Sequence, residues 1–319
     1  MAKPLLCPPE LLQTDLTGRV LVVTGGNGGI GWVCVKQFAK QGATVVLACR
    51  RLEAGEQQAA EARRELPDAH IEVRRLDLAD LSSVRAFAQE VLAAHDAIHG
   101  LLNNAGVMNT PAGKTADGFE MQLGTNHLGH FLLTKLLLPA LKNGAPSRIV
   151  NVSSCFHDKA MGREGKIFFD DLNYKERKYD GWEAYAQSKL ANLLHARGLA
   201  QRLEGSGVTA VSVHPGWVRT DLTRHSMPKF FAAIATPLLK LAGMIEPWEG
   251  AQTSLYAMLA PEVPDHPGEY YSQTGVYRDR SCNAGGWPLH SPNPAAHDDA
   301  AVDRLWDVSE HLIESASPA

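Results

Sequence analysis

The 319-residue chain has no run of about twenty apolar residues, the length needed to cross a bilayer, so no membrane-spanning helix is expected. Its opening stretch holds two Leu-Leu pairs interrupted by Pro4, Pro8 and Pro9. That is too broken for a secretion signal, and residues 1–17 read as a short surface arm. There is no C-x-x-C pair, and the cysteines are odd in number: Cys7, Cys34, Cys49, Cys155 and Cys282. This argues against a disulfide framework and for a reducing, cytoplasmic setting. There is no excess of basic residues. Lys and Arg total 31 against 35 Asp and Glu, a net charge of −4, which offers nucleic acid no cationic face. No H-E-x-x-H is present. His127 and His130 lie three apart but lack further ligands, so they read as helix-surface or core histidines and no metal is expected.

What is present is alternation. Apolar, strand-like runs occur at 19–25, 43–50, 70–77, 100–106, 147–154 and 208–216, with helically spaced segments between them such as 33–42 and 84–95. Continuous Val, Ile and Leu indicate strands buried on both faces. Strands alternating with helices imply a mainly parallel sheet flanked by helices. With no repeat and no low-complexity linker, the expected fold class is α/β. Residues 18–319 are expected to form one doubly wound Rossmann-type domain. Two stretches break the alternation. Residues 155–181 are polar and loop-like, and residues 222–250 are apolar, including Phe230, Phe231, Ile234 and Leu238. The second reads equally as a pocket wall or as core or dimer interface; residues 230–244 also read as an interfacial helix making a peripheral membrane contact, for which the lone Lys240 is a thin cationic face. From 275 onward the chain is rich in turn formers, before a last helix at about 300–314.

The first strand runs into Thr24, Gly25, Gly26, Asn27, Gly28, Gly29, Ile30 and Gly31, and a helical pattern follows at once. Glycines at a strand–helix junction allow a tight turn and close approach of a pyrophosphate to the helix N-terminus, so a dinucleotide is expected here. The second strand ends on Arg50 and Arg51, where an NAD site would carry a carboxylate. A guanidinium can grip a 2′-phosphate, which favours NADP(H) over NAD(H). Asp77, closing the third strand, is placed to bond the adenine amino group or to serve as a turn residue.

Tyr185 and Lys189 are four apart at the start of a helical stretch and so share one face. A nearby ammonium lowers a phenol's pKa and suits it to proton transfer. Ser154 ends the fifth strand, where its hydroxyl can hold a substrate oxygen beside Tyr185.

From about residue 18 to 275 the chain resembles the short-chain dehydrogenases/reductases. The matching motifs are T-G-x-x-x-G-I-G at 24–31, D-L at 77–78, N-N-A-G at 103–106, N-H-L-G-H-F at 126–131, V-S-S at 152–154, Y-x-x-S-K at 185–189 and H-P-G-x-V-x-T at 214–220. The resemblance implies that Ser154, Tyr185, Lys189 and Asn126 form the catalytic set. In it, Tyr185 is the general acid/base, Lys189 holds the nicotinamide ribose and depresses the phenol's pKa, Ser154 orients the substrate oxygen, and Asn126 supports a water leading to Lys189. Asp77 and Leu78, with Asn104, Ala105 and Gly106, would line the adenosine and ribose side. Pro215, Gly216, Val218 and Thr220 would flank the nicotinamide. Ser153 is left out, because the second Ser of V-S-S matches the family position.

Within that family the chain is most similar to the retinol-dehydrogenase-like branch, on V-V-L-A-C-R at 45–50, N-H-L-G-H-F-L-L-T-K-L-L-L-P at 126–139, S-K-L-A-N-L-L at 188–194 and E-G-A-Q-T-S-L-Y at 249–256. This implies NADP(H), a lipophilic alcohol or carbonyl substrate and a homo-oligomer. It departs from the branch in lacking an N-terminal membrane helix and in the length of the loop between Ser154 and Tyr185. A non-catalytic nucleotide-binding scaffold is the alternative function. Retention of all four catalytic residue types argues against it.

Overall fold

The computed structural model describes residues 3–219 and 243–316. Seven strands form one parallel sheet: β1 (Val20–Thr24), β2 (Thr44–Cys49), β3 (His70–Arg75), β4 (Gly100–Asn103), β5 (Ser147–Val152), β6 (Val208–His214) and β7 (Tyr270–Ser272). Their order is β3-β2-β1-β4-β5-β6-β7, every neighbouring pair running parallel. The chain builds outward from β1 to β3, then returns to the other side of β1 to begin β4. A crevice opens between β1 and β4 at the carboxyl ends, where this reversal leaves neighbouring crossovers on opposite faces.

The sheet is parallel because its connections are helices: α1 (Gly29–Lys40), α2 (Leu52–Glu65), α3 (Leu81–Ala94), α4 (Gly129–Asn143), α5 (Gly181–Arg202) and α6 (Pro247–Leu259). Side chains alternate across each strand. Leu21 and Val23 join the core beneath α1 and α6, while Val22 between them joins the core beneath α3, α4 and α5. The continuous apolar runs therefore serve two faces at once. Three helices begin on aspartate caps. Asp80 accepts from the N–H groups of Ser82 and Ser83, Asp180 from those of Trp182 and Glu183, and Asp298 from that of Ala301.

The six anticipated strands form. The seventh, Tyr270–Ser272, is too short to carry a sequence pattern and is held at the sheet edge by pairing with β6. The long polar insertion contains a short turn (Cys155–His157) and a two-residue hairpin, Lys159–Ala160 with Arg163–Glu164. The last helix, α7 (Asp299–Ser315), packs against α5 through a third apolar cluster that includes Leu190, Leu194, Val302 and Leu305. Helix α5 is buried nearly all round as a result. Residues 220–242, which include most of the apolar segment 222–250, lie outside the described residues. With them go Thr220, Phe230, Phe231, Ile234 and Leu238. Among the described residues no helix is long and apolar enough to cross a membrane.

The N-terminal arm lies against the domain. Leu5 exchanges two backbone hydrogen bonds with the Gln273 side chain, both at 2.7 Å, and the Cys7 N–H donates to Gln252 at 3.0 Å. Leu11, Leu12 and Leu16 pack on the core beneath α1. Gln273 therefore acts as a strand edge for the arm. Replacing it with alanine removes a donor and an acceptor at once, worth about 1–2 kcal/mol locally. In Gln273→Ala, amide exchange at Leu5–Cys7 should accelerate ~5- to 30-fold, with β1–β6 amides unchanged. Unchanged exchange at Leu5 would show that the arm is held by its leucines instead.

Candidate active site

The glycine turn sits in the β1–β4 crevice. The Gly25 N–H continues the ladder by donating to the Ala48 carbonyl of β2 at 2.8 Å. Gly25 has φ +64°, which favours glycine, and a β-carbon there would stand 3.0 Å from Ala105. At Gly31 it would stand 2.5 Å from the Gly25 carbonyl. Gly28 is different: a β-carbon there would meet nothing within 4 Å. The turn is thus tight underneath and open on top, at the N-terminus of α1 where Gly29, Ile30 and Gly31 present the first N–H groups of the helix. That is the shape a pyrophosphate needs, so the residues fit a dinucleotide.

Thr24 fastens this turn to the loop after β4. Its hydroxyl accepts from the N–H groups of Asn104 (2.9 Å) and Ala105 (3.0 Å), and its carbonyl takes Asn104 Nδ2 at 2.8 Å. His130 completes the knot. Its Nδ1 lies 2.9 Å from the Asn126 carbonyl and its Nε2 2.8 Å from Thr24 Oγ1. A carbonyl only accepts, so Nδ1 carries the hydrogen. Burial holds the ring pKa down to about 4, so it is neutral and its bare Nε2 accepts from Thr24. His127 points elsewhere, to Ser309 of α7 at 2.8 Å. The two histidines share no ligand position, and the described residues contain no metal-holding cluster. His130 is the structural residue that the sequence undersold. Its signal is the helical i, i+4 spacing from Asn126.

Asn126 lies in a π turn, Gly124–Leu128, that interrupts the helix leading into α4. The wider turn frees its side chain to reach inward. Oδ1 accepts from the Val107 N–H (2.8 Å), while Nδ2 donates to the Val107 carbonyl (2.9 Å) and to Ser188 Oγ (2.9 Å). Ser188 Oγ in turn donates to the Tyr185 carbonyl at 2.8 Å. Gly106 is the junction: a β-carbon on it would stand 3.1 Å from Asn126 Oδ1 and 3.6 Å from Lys189 Nζ. The N-N-A-G loop therefore touches the glycine turn at Ala105 and the lysine at Gly106.

Tyr185, Lys189 and Ser154 gather at the carboxyl edge of the sheet. Lys189 Nζ stands 5.6 Å from the Tyr185 ring centroid and donates to the Val152 carbonyl at 2.9 Å. Burial lowers the Lys189 pKa to about 7. Tyr185 moves the other way. Burial pushes its pKa up, and the Ser154 hydroxyl opposes that only in part. The expected depression of the phenol by the ammonium is therefore not made in this arrangement. Desolvation dominates the phenol, and Nζ is turned to a carbonyl. Ser154 Oγ accepts from the Phe156 N–H at 3.2 Å, which leaves the hydroxyl hydrogen to be donated. Ser153 faces away, donating to the Lys189 carbonyl at 2.7 Å. The Phe156 ring stands edge-on to Tyr185 (6.1 Å) and to Trp182 (5.6 Å), so the phenol lies beside an aromatic wall.

Other anticipated residues fall around this centre. Asn27 lies in the glycine turn. Arg50 and Arg51 are exposed just beyond β2, and neither guanidinium has an ion-pair partner among the described residues. Asp77 Oδ1 accepts from the Ala79 N–H at 3.0 Å, a turn role. Leu78 beside it is buried in the core. Pro215 and Gly216 follow β6. Val218 is buried and bridges to Ile245.

A profile for the short chain dehydrogenases matches residues 19–165. Retinol dehydrogenase 12 of Homo sapiens is 46% identical over 302 residues, spanning 94% of this chain and 88% of that protein. Retinol dehydrogenase 13 of Homo sapiens is 41% identical over 315 residues, spanning 98% and 89%. Among solved structures, an uncharacterised protein from Mycobacterium paratuberculosis superposes with a TM-score of 0.73 at 36% identity, over 96% of this chain and 97% of that one.

The buried lysine makes stability depend on pH. Its folded pKa of about 7 lies below the ordinary ~10.4, so the unfolded chain binds more protons across that window. Stability of the cofactor-free protein should therefore rise as pH increases from about 7 toward 10. Well below pH 7 the full penalty applies, about 5 kcal/mol at most. Lys189→Met removes it, and the Val152 carbonyl stays satisfied by Asn192 Nδ2 at 3.0 Å. Melting profiles should show the variant several degrees more stable than the parent at pH 6.5, the gap closing by pH 9.5. A gap that does not change with pH would contradict the depressed lysine.

Proposed function

This chain belongs to the short-chain dehydrogenase family, and from that premise we propose that it is an NADP(H)-dependent oxidoreductase interconverting a lipophilic alcohol and its aldehyde or ketone. The observation that carries the reading is the loop Asn103–Gly106. It adjoins the glycine turn at one end and Lys189 and Asn126 at the other, so one loop links the proposed dinucleotide site to the proton-transfer residues. When bound, the nicotinamide supplies or accepts the hydride. The chain's own residues handle the proton. Burial keeps the Tyr185 phenol protonated, the form that gives its proton to a carbonyl oxygen during reduction. Ser154 Oγ, already accepting from Phe156, donates to the same oxygen and holds it in reach. Lys189, with a pKa near 7, provides positive charge beside Tyr185 that stabilises phenolate once the proton has left. Asn126, fixed by three hydrogen bonds, keeps Val107 and Ser188 in register around the pair.

Two features support the finer assignments. The exposed guanidinium groups of Arg50 and Arg51, without an ion-pair partner among the described residues and with no carboxylate at the end of β2, suit a 2′-phosphate. The aromatic wall of Phe156 and Trp182 beside Tyr185 suits a lipophilic substrate, as does the likeness to proteins named retinol dehydrogenases. The five unpaired cysteines fit the reducing, cytoplasmic setting.

Absorbance loss of NADPH and NADH with a panel of lipophilic aldehydes and ketones, retinal included, tests the reaction. Turnover should favour NADPH, and Tyr185→Phe should lower kcat ~10²- to 10⁴-fold with NADPH binding retained. Arg50→Ser should raise the KM for NADPH about tenfold and leave that for NADH nearly unchanged. Preference for NADH in the parent would overturn the cofactor assignment. NADPH binding without turnover on any member of a broad panel would point to the scaffold alternative.

A further inference from the structure

Ser154 must be held by something other than the sheet. The last ladder bond of β5 is made by Ser153, whose N–H donates to Val213 at 2.8 Å, one residue short of Ser154. The turn Cys155–His157 follows at once. His157 is wholly buried, and its Nδ1 lies 2.6 Å from the Ser154 carbonyl, which also takes the His157 N–H at 3.0 Å. A carbonyl cannot donate, so Nδ1 carries the hydrogen. Burial brings the ring pKa down to about 4, leaving Nε2 bare. Ser291 Oγ stands 2.6 Å from Nε2 and is its donor.

The far side of this contact is itself anchored. Asn293 Nδ2 donates to the carbonyls of His157 (2.7 Å) and Gly165 (2.9 Å). A β-carbon at Gly165 would lie 1.7 Å from the His157 carbonyl, so glycine is required for the closure. Next in sequence, the buried Asp158 takes the Arg278 N–H at 2.7 Å and pairs with its guanidinium. Ser291 and Asn293 lie well outside the part of the chain that the family profile matches, 19–165.

We propose that His157 is a positioning residue whose neutral ring clamps the Ser154 carbonyl to Ser291, fixing the Ser154 hydroxyl against Tyr185. This rests on the roles of Ser154 and Tyr185 given above. The ring works as a rigid two-ended spacer, donating at Nδ1 and accepting at Nε2. In the neutral ring Nε2 is the acceptor and the Ser291 hydroxyl the donor. The charged and titratable groups facing it are Asp158, which favours protonation, and Arg278, His297 and His214, which oppose it. Tyr270 and Tyr277 stand edge-on to it as neutral rings, at 4.8 and 6.4 Å between centroids.

Three variants test the clamp at saturating NADPH, with a carbonyl substrate that the parent reduces. His157→Phe keeps a ring without either nitrogen. His157→Asn restores an amide N–H at the Nδ1 position. Ser291→Ala removes only the donor to Nε2. The phenylalanine variant should lose ~10- to 100-fold in kcat while its KM for NADPH stays within about twofold. The asparagine variant should return to within about threefold of the parent, a rescue that simple loss of packing would not give. A phenylalanine variant keeping half the parent's kcat, or an asparagine variant equally slow, overturns the proposal.

Long-range proton–nitrogen spectra of the histidine rings give a readout independent of turnover. The parent should show a neutral Nδ1–H ring, unchanged between roughly pH 6 and 8, that shifts in Ser291→Ala. An Nε2–H or charged ring overturns the clamp, as does a Ser291→Ala protein with unchanged signal and kcat. This arm decides if His157→Phe does not fold. If the parent reduces no substrate, the functional reading fails while the spectra still judge the clamp.

Discussion

One hydroxyl ties the two halves of the cleft together. Thr24 Oγ1 accepts two N–H groups from the loop after β4 and donates to His130, whose other nitrogen holds the Asn126 carbonyl. Strand β1, the N-N-A-G loop and the π turn are thereby locked through a single buried atom with all its hydrogen-bonding capacity used. Buried polar networks are rigid when every member is satisfied and costly when one is not. The glycine turn needs this rigidity because its tight side admits no atom, while its open side must stay open. Asn126 needs it because a π turn has fewer constraints of its own than an α-helix.

Desolvation is the second organising force, and it acts on Tyr185 and Lys189 in opposite directions. Removing both from water raises the phenol's pKa and lowers the amine's, so each is driven toward its neutral form. The resting pair thus avoids most of the cost of buried charge, which would otherwise be several kcal/mol per ion. It also leaves the lysine close to the midpoint of its titration at neutral pH. Small changes in local charge can then move its proton, which suits a group whose task is to follow the charge on a neighbour.

Much of this was legible in the residues. The period of the apolar runs identified six of the seven strands and the parallel sheet, because strands buried on both faces leave an unbroken Val/Ile/Leu signature. The glycine turn, Tyr185, Lys189, Ser154 and Asn126 were legible through spacing and likeness. The seventh strand was not, since three residues carry no pattern. Nor was the direction of the Tyr185 shift, because spacing reveals that Lys189 is near but not that burial outweighs it. His130 and His157 escaped for a related reason. A buried histidine is recognised by its two partners, and one of each pair lies far away in sequence, at Thr24 and at Ser291. The docking of α7 on α5 was hidden likewise: α5 is apolar and polar all round, with no stripe to announce a covering helix.

The contact between His157 and Ser291 also bears on the order in which the protein is made. A chain leaves the ribosome from its N-terminus at ~5–20 residues per second, and domains assemble as their parts emerge. The glycine turn, the N-N-A-G loop, Tyr185 and Lys189 are all available before residue 200 has been added. Ser291 and Asn293 come well after all of these in the chain. A nascent chain therefore presents these residues before those that set its serine. The setting of the serine thus waits on residues made after both the glycine turn and the proton-transfer pair.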